Sequence, residues 1–205
     1  MFPLLMVDDA ARARRAFHRR ARFAFETISC GSCAEAMAFD VVAPRALLIA
    51  TQLPDGCGFE LAKVLRVRFP SASMALSGSE PGSARAVLLD ASYIAKPASI
   101  ASLDDFLNQS VCRGLRAVPA LQEALYLASR LWQLRPHETL VLGSSIIEGS
   151  HDNTARALRL NVNTLKSRIK KILVKSRLDS MRAVSTSILS LANDGSSPVS
   201  SPSPR

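Results

Sequence analysis

The sequence predicts two domains of different class: a parallel α/β sheet domain, then an all-helical one. Three observations carry this. Five short strand-like runs alternate with helical stretches over the first half, and two of them, Leu4–Val7 and Ala46–Ala50, are continuously apolar, as strands buried on both faces are. A Gly- and Pro-containing segment, Gly114–Pro119, interrupts the chain. Beyond it the apolar residues follow helical spacing only, ending in a basic stretch, Asp152–Ser176.

Leu4–Val7 is the first strand, with Asp8 and Asp9 at its end. Ala10–Arg22 is a helix with Ala13, Phe17 and Ala21 on one face and six arginines over the rest, which reads as a solvated face or, alternatively, as a surface that binds an acidic partner or adds to DNA attraction. Phe25–Ile28 is a strand and Ser32–Phe39 a helix. Ala46–Ala50 is a strand, Leu53–Gly58 a loop, and Phe59–Arg68 a helix with Leu61, Val64 and Leu65 inward. Ser73–Leu76 is a strand, Pro81–Asp90 a short helix, Ser92–Ala95 the fifth strand, and Leu103–Cys112 a closing helix. Strands alternating with helices imply right-handed crossovers and a parallel sheet covered on both faces. Chemistry in such a sheet collects at the carboxyl ends of its strands, where Asp8, Asp9, Ala50, Ser77 and Lys96 fall.

Pro119–Gln133 is predicted to be a linker helix, with Trp132 packing at a domain interface. Leu134–Glu148 is the next helix, its core positions Leu140, Val141, Ile146 and Ile147, and Gly149 suits a left-handed stop. Asp152 is a candidate cap for a helix through Leu158, and Asn161 for one from Val162. In that second helix Leu165, Ile169, Ile172 and Leu173 form one apolar face, and Asn163, Lys166, Ser167 and Lys170 the other. Asp179–Leu191 is a last helix, and the Ser- and Pro-rich residues 193–205 a disordered tail.

The net charge of +9 and pI near 10 favour a polyanionic partner. No apolar run reaches the roughly 18 residues that span a bilayer, so a cytoplasmic protein is expected. Four cysteines without a signal peptide suggest free thiols. Cys30-Gly-Ser-Cys33 is a C-x-x-C motif whose Cys33 falls at a helix start, where a thiol pKa is lowered, which opens a redox reading. No cysteine–histidine spacing suggests a metal, no catalytic constellation is present, and no cofactor is expected.

Residues 3–113, through VDD, LLIATQLPDGCGFEL, ALSGS and YIAKP in that order, resemble a response-regulator receiver domain. The resemblance implies a flavodoxin-like receiver with a five-stranded parallel sheet. It also implies a pocket of Asp8 and Asp9 for Mg²⁺, Ser77 as phosphoryl-contacting hydroxyl, Lys96 as its pairing cation, and Tyr93 as switch aromatic. The phosphoacceptor position is Ala50, whose methyl cannot accept phosphate, and Asp55 lies past the loop proline. The helix between Ser77 and Lys96 is shorter than the family norm. Leu134–Val184 resembles a LuxR/NarL-type helix-turn-helix domain, with a Fis-type motif fitting 155–171 nearly as well. The resemblance places DNA reading on Lys166, Ser167 and Lys170, phosphate contact on Thr164, and a wider DNA face including Asn163, Arg168 and Lys171. Arg135 replaces the usual hydroxyl cap, and Arg159 stands where a glycine usually ends a helix.

The expected organisation is a degenerate receiver-like domain over 1–115, a linker helix over 116–133, the helix-turn-helix domain over 134–192 and the tail. The expected function is a non-enzymatic, DNA-binding transcription regulator of the LuxR/NarL (FixJ) type. Its partners would be double-stranded DNA, a second copy of the chain, and a protein on the receiver face. Two alternatives stay open: an interaction module that titrates another regulator or a kinase, and a thiol-based redox-responsive regulator.

Overall fold

The computed structural model describes residues 1–39, 43–79 and 82–194. The chain forms two compact units, one of Met1–Gly114 with Arg135–Leu140, the other of Leu115–Leu134 with Val141 onward.

In the first unit the order is β1 (Phe2–Val7), α1 (Ala11–Ala21), β2 (Phe25–Cys30), α2 (Cys33–Ala38), β3 (Ala46–Ala50), β4 (Gln52–Leu53), β5 (Gly56–Cys57), α3 (Gly58–Arg68), β6 (Ser73–Gly78), α4 (Ser83–Val87), β7 (Ala91–Ala95) and α5 (Ile100–Gly114). Five strands pair in parallel in the order β2-β1-β3-β6-β7. This is the flavodoxin-like receiver fold, and its strand order reverses between β1 and β3. Strands β3 and β6 are buried throughout, which is why they show no polar alternation. Leu5, Val7, Leu47, Ile49, Met74 and Leu76 share one sheet face with Phe59, Leu61 and Leu65 of α3. The opposite face buries Leu4, Met6 and Leu48, with Phe17 of α1 and Phe106, Leu107 and Val111 of α5 also buried.

Several expectations need correction here. Leu53–Gly58 is not simply a loop, because β4 and β5 close a small antiparallel hairpin within it. Val64 is 46% exposed, and Ala62 takes the inward position beside Leu61 and Leu65. The helix expected over Pro81–Asp90 is only the five residues Ser83–Val87 (Pro81 lies outside the described residues). Its end is fixed from α3: the Arg66 guanidinium donates to the carbonyls of Leu89 (3.0 Å) and Asp90 (2.8 Å), and also to Pro70 and Ala72. A half-buried guanidinium that donates to four carbonyls ties that turn to α3. Asp90, at φ 48°, ends it in the left-handed region.

The second unit holds α6 (Pro119–Leu131), most of α7 (Pro136–Glu148), α8 (His151–Ala157), α9 (Val162–Ser176) and α10 (Met181–Asp194). α6 packs against α10, and α9 against both α8 and α10. Leu125, Ala128, Val141, Leu142, Leu165, Ile172, Val184 and Ile188 are fully buried. Ile147, expected inside, is 39% exposed, and Leu142 fills the core instead. Gly143 is required by packing, since a Cβ there would lie 2.3 Å from a methyl of Leu115. The disordered tail expected over 193–205 falls almost entirely outside the described residues, and α10 itself runs to Asp194.

Candidate nucleic-acid interface and the pocket of the parallel sheet

The helix pair α8–α9 is built by local capping. Ser150, in an extended conformation, accepts from Asn153 N (3.2 Å) through its hydroxyl. The cap expected at Asp152 therefore moves two residues earlier, and Asp152 sits in the first turn, where a negative charge suits the helix dipole. Thr154, fully buried, donates its hydroxyl to Ser150 O (2.7 Å) and seals the start of the turn. Arg159 ends the element at φ 52°, a left-handed position that a non-glycine residue occupies at some cost. Asn161 caps α9 as expected, accepting from Asn163 N (2.8 Å).

α9 is about 22 Å long at a rise of about 1.5 Å per residue. Leu165 and Ile172 are fully buried and Ile169 is 6% exposed, so the apolar stripe faces the core of the second unit. Asn163, Thr164, Lys166, Ser167, Lys170 and Lys171 are all exposed on the other side. At roughly 100° per residue, Asn163, Ser167 and Lys170 lie within about 60° of one another, with Lys166 flanking them. Arg168 is the exception in the expected DNA face: it lies at the border of the apolar stripe, half-buried, and is already engaged. Lys175 is committed elsewhere, donating to Gln133 O (2.9 Å). What results is a rigid, capped helix presenting donors and positive charge to solvent.

At the carboxyl ends of the sheet, the switch between β1 and β3 brings Asp8 and Ala50 to neighbouring strand ends, and Ala50 pairs in register with Ser77. The Asp8 carboxylate is almost fully buried; it accepts from Ala10 N (2.9 Å) and pairs with Lys96 Nζ at 2.7 Å. Asp9 is exposed, and it is its backbone carbonyl, with that of Asp8, that receives the Arg14 guanidinium. Tyr93 is half-buried, its ring against Gly82 and its hydroxyl against Gly78. Thr51 covers Gly78 from the other side: a Cβ there would lie 2.2 Å from the Thr51 hydroxyl. Gly58 is equally fixed, since its Cβ would lie 1.8 Å from the Ala50 carbonyl oxygen. Asp8, Lys96, Ala50 and Ser77 thus converge; Asp9 and Asp55 do not. Sequence reasoning missed Arg14 and Thr51, whose roles depend on backbone carbonyls and on a glycine contact.

Magnesium, which this fold family uses, demands several hard oxygen ligands in near-octahedral array. The residues present do not fit it. One carboxylate is taken by Lys96, the second is turned out, and the third position carries a methyl. Among the described residues no group of three or more His, Cys, Asp or Glu side chains forms a metal cluster.

The C-x-x-C motif also departs from expectation. Cys33 opens α2, but burial and the Asp55 carboxylate push its thiol up rather than down. Asp55 caps the same helix, accepting from Cys33 N and Ala34 N at 2.8 Å each, and those bonds hold its own carboxyl below the ordinary range. Burial, then Glu35, raises the Cys30 thiol. The negative charge that answers the helix dipole here thus belongs to a carboxylate and not to a thiolate.

No protein-family model and no curated protein matches the chain. Solved structures do. The non-phosphorylated HemR receiver domain from Leptospira biflexa is 20% identical and covers 57% of this chain and 98% of its own, with a TM-score of 0.50. The first unit has the receiver fold. A structure described as adenylate cyclase from Rhodopirellula baltica is 19% identical over 54% of this chain and 87% of its own, also at 0.50. The response regulator StyR is 20% identical and covers 93% of this chain and 100% of its own, at 0.49. Such likenesses are of fold, which hosts unrelated functions. No described helix is long and apolar enough to cross a membrane.

Proposed function

We propose that the chain is a sequence-specific DNA-binding transcription regulator whose receiver-like domain works without phosphorylation at Ala50. One observation carries this reading: α9 buries Leu165, Ile169 and Ile172 and turns Asn163, Lys166, Ser167 and Lys170 to solvent. A major groove admits one α-helix, and its bases are read by side chains of these types. Thr164 and Lys171 flank that face and would contact phosphate, adding salt-dependent affinity. One short helix reads few bases, so two copies on a near-palindromic site are expected. Selection from a random duplex pool by the full-length protein tests the reading. Recovery of one dominant motif with inverted half-sites supports it; an unenriched pool refutes it. The phosphorylation-independent part predicts no saturable beryllofluoride binding by fluorescence or calorimetry.

A second reading makes the first unit an interaction module that titrates another regulator or a kinase. It is favoured by Val87 and Leu88, which end α4 at 73% and 85% exposed. In that case Val87→Ser with Leu88→Ser abolishes regulation in cells and leaves duplex binding intact.

A further inference from the structure

Apart from Arg14, whose guanidinium reaches the Asp8 and Asp9 carbonyls, the exposed side of α1 takes part in neither the sheet pocket nor the helix pair. As a charge run it is only a solvated face, but the structure makes it one wall of a cavity of about 380 Å³ lined by Ala11, Arg14, Arg15, His18, Arg19 and Ser29. The other wall is β2, the edge strand of the sheet. Cys30 and Ile28 belong to the cluster on the far face, so strand alternation turns Ser29 and Thr27 towards α1 and Glu26 away from it. No carboxylate lines the cavity. Arg14 is held by the Asp8 and Asp9 carbonyls. Arg15, His18 and Arg19 are exposed, and none of them is in an ion pair among the described residues. Arg20, on the adjoining side, is by contrast paired with Asp104. The Thr27 hydroxyl oxygen, two residues before Ser29 on the same strand face, is buried without a partner.

Three guanidinium groups lining one concavity, with no carboxylate among them, raise the local concentration of anions. Planar guanidinium forks match phosphate oxygens two at a time, and the Ser29 hydroxyl adds a donor from the opposite wall. Arg15 and Arg19 are one turn apart, roughly 6 Å along the helix, so they reach successive phosphoryl groups more readily than the same one. We propose that this cavity is a binding site for a polyphosphate chain, carried either by a nucleoside triphosphate or by inorganic polyphosphate. The site is independent of the DNA-binding reading, and α9 could stand or fall without it.

The test is calorimetric titration of the full-length protein at near-physiological salt with two probes, sodium tripolyphosphate and ATP. Saturable one-to-one binding is expected. Arg15→Ala with Arg19→Ala should weaken it by at least about tenfold, the loss expected for charge-assisted hydrogen bonds, with the melting temperature unchanged. Tighter binding of ATP than of tripolyphosphate assigns the nucleotide as the source, and equal binding assigns the phosphate chain alone. Lys166→Ala with Lys170→Ala should leave both titrations as they were. The proposal is overturned by absence of saturation at millimolar probe, by binding that survives the arginine substitutions, or by binding lost with the α9 lysines instead. It is equally overturned if a random duplex occupies Arg15 and Arg19 and neither probe displaces it.

Discussion

Replacing Lys166 and Lys170 together by alanine should remove discrimination between DNA sequences more than it removes affinity. Both ammonium groups are exposed on the solvent face of α9, one turn apart. Neither has a partner among the described residues whose loss would unsettle α9, so stability should change by less than about 0.5 kcal/mol. A good side-chain contact to a base edge contributes about 1–3 kcal/mol of discrimination. Two of them contribute at least about 2 kcal/mol, which is roughly a 30-fold fall in the ratio of specific to scrambled binding. Phosphate contacts behave differently: each adds about 0.9 to the salt slope and strengthens all sequences alike. Fluorescence anisotropy with a selected duplex and its scramble, over roughly 50–200 mM salt, separates the two cases. Reading of bases predicts a collapsed ratio. A fall of about 1.8 in slope with the ratio preserved would make both lysines phosphate clamps. If neither quantity moves, α9 is not the DNA-contacting helix and the reasoning fails at its first step.

Gly58→Ala should cost about 1–3 kcal/mol or more, seen as a lower melting temperature of the first unit, because the added methyl meets the Ala50 carbonyl at 1.8 Å. Leu165→Ala, at a fully buried position, should cost about 2–5 kcal/mol and abolish DNA binding by unfolding the second unit, visible as lost helical circular dichroism. Asp55→Ala should speed alkylation of Cys33 at neutral pH, because the carboxylate that raises that thiol is gone. Asp55 is held below the ordinary carboxylate range, so its contribution to stability is complete above that range and disappears as pH falls through the depressed value; acid melts of the variant should lack that loss. Ala50→Asp should lower the melting temperature by placing a second carboxylate in a fully buried position near Asp8, with Lys96 already engaged; an unchanged melt would show that this strand end is wetter than the packing implies.

Much of the architecture was legible because it rests on short-range rules. Uninterrupted apolar runs marked the central strands, Asn161 marked the start of α9, and Gly149 (φ 69°) marked a left-handed stop; the stop at Arg159 (φ 52°) came only from the resemblance, which puts a glycine there. The misses share a different origin. Two-residue strands such as β4 and β5 have no period to detect. Val64 and Ile147 were assigned inward because a stripe of three-and-four spacing leaves the edge of a helix face ambiguous by one residue. Ser150 and Asp152 are both good caps, and only the extended backbone at Ser150 selects between them. The direction at Cys33 is not legible locally, because it is set first by burial in the fold and then by Asp55, 22 residues distant. The length of α4 was set by Arg66, which lies on another helix altogether. Of the candidate site, strand order brought Asp8, Ala50, Ser77 and Lys96 together, while Asp9, next to Asp8, turned to solvent. The sideways turn of Arg168 was not legible, since a residue on the border of a stripe is placed by its tertiary partner.

The pocket's charge balance constrains how such a unit could be switched. A phosphorylation switch needs a state that the modification favours over another, because a ligand shifts an equilibrium only by its differential affinity. The buried carboxylate of this pocket, Asp8, already has its cation in Lys96 at 2.7 Å and a backbone donor in Ala10. Ala50 offers no oxygen to modify, and Thr51 and Tyr93 close over Gly78 from two sides. The turn after α4 is tied to α3 by Arg66. The Asp8–Lys96 pair is buried on its carboxylate side, so drawing Lys96 away would strand a buried charge, at a cost of several kcal/mol. On the reading proposed above, control would act on exposed surfaces away from this pocket, such as the basic face of α9 and the arginine wall of α1.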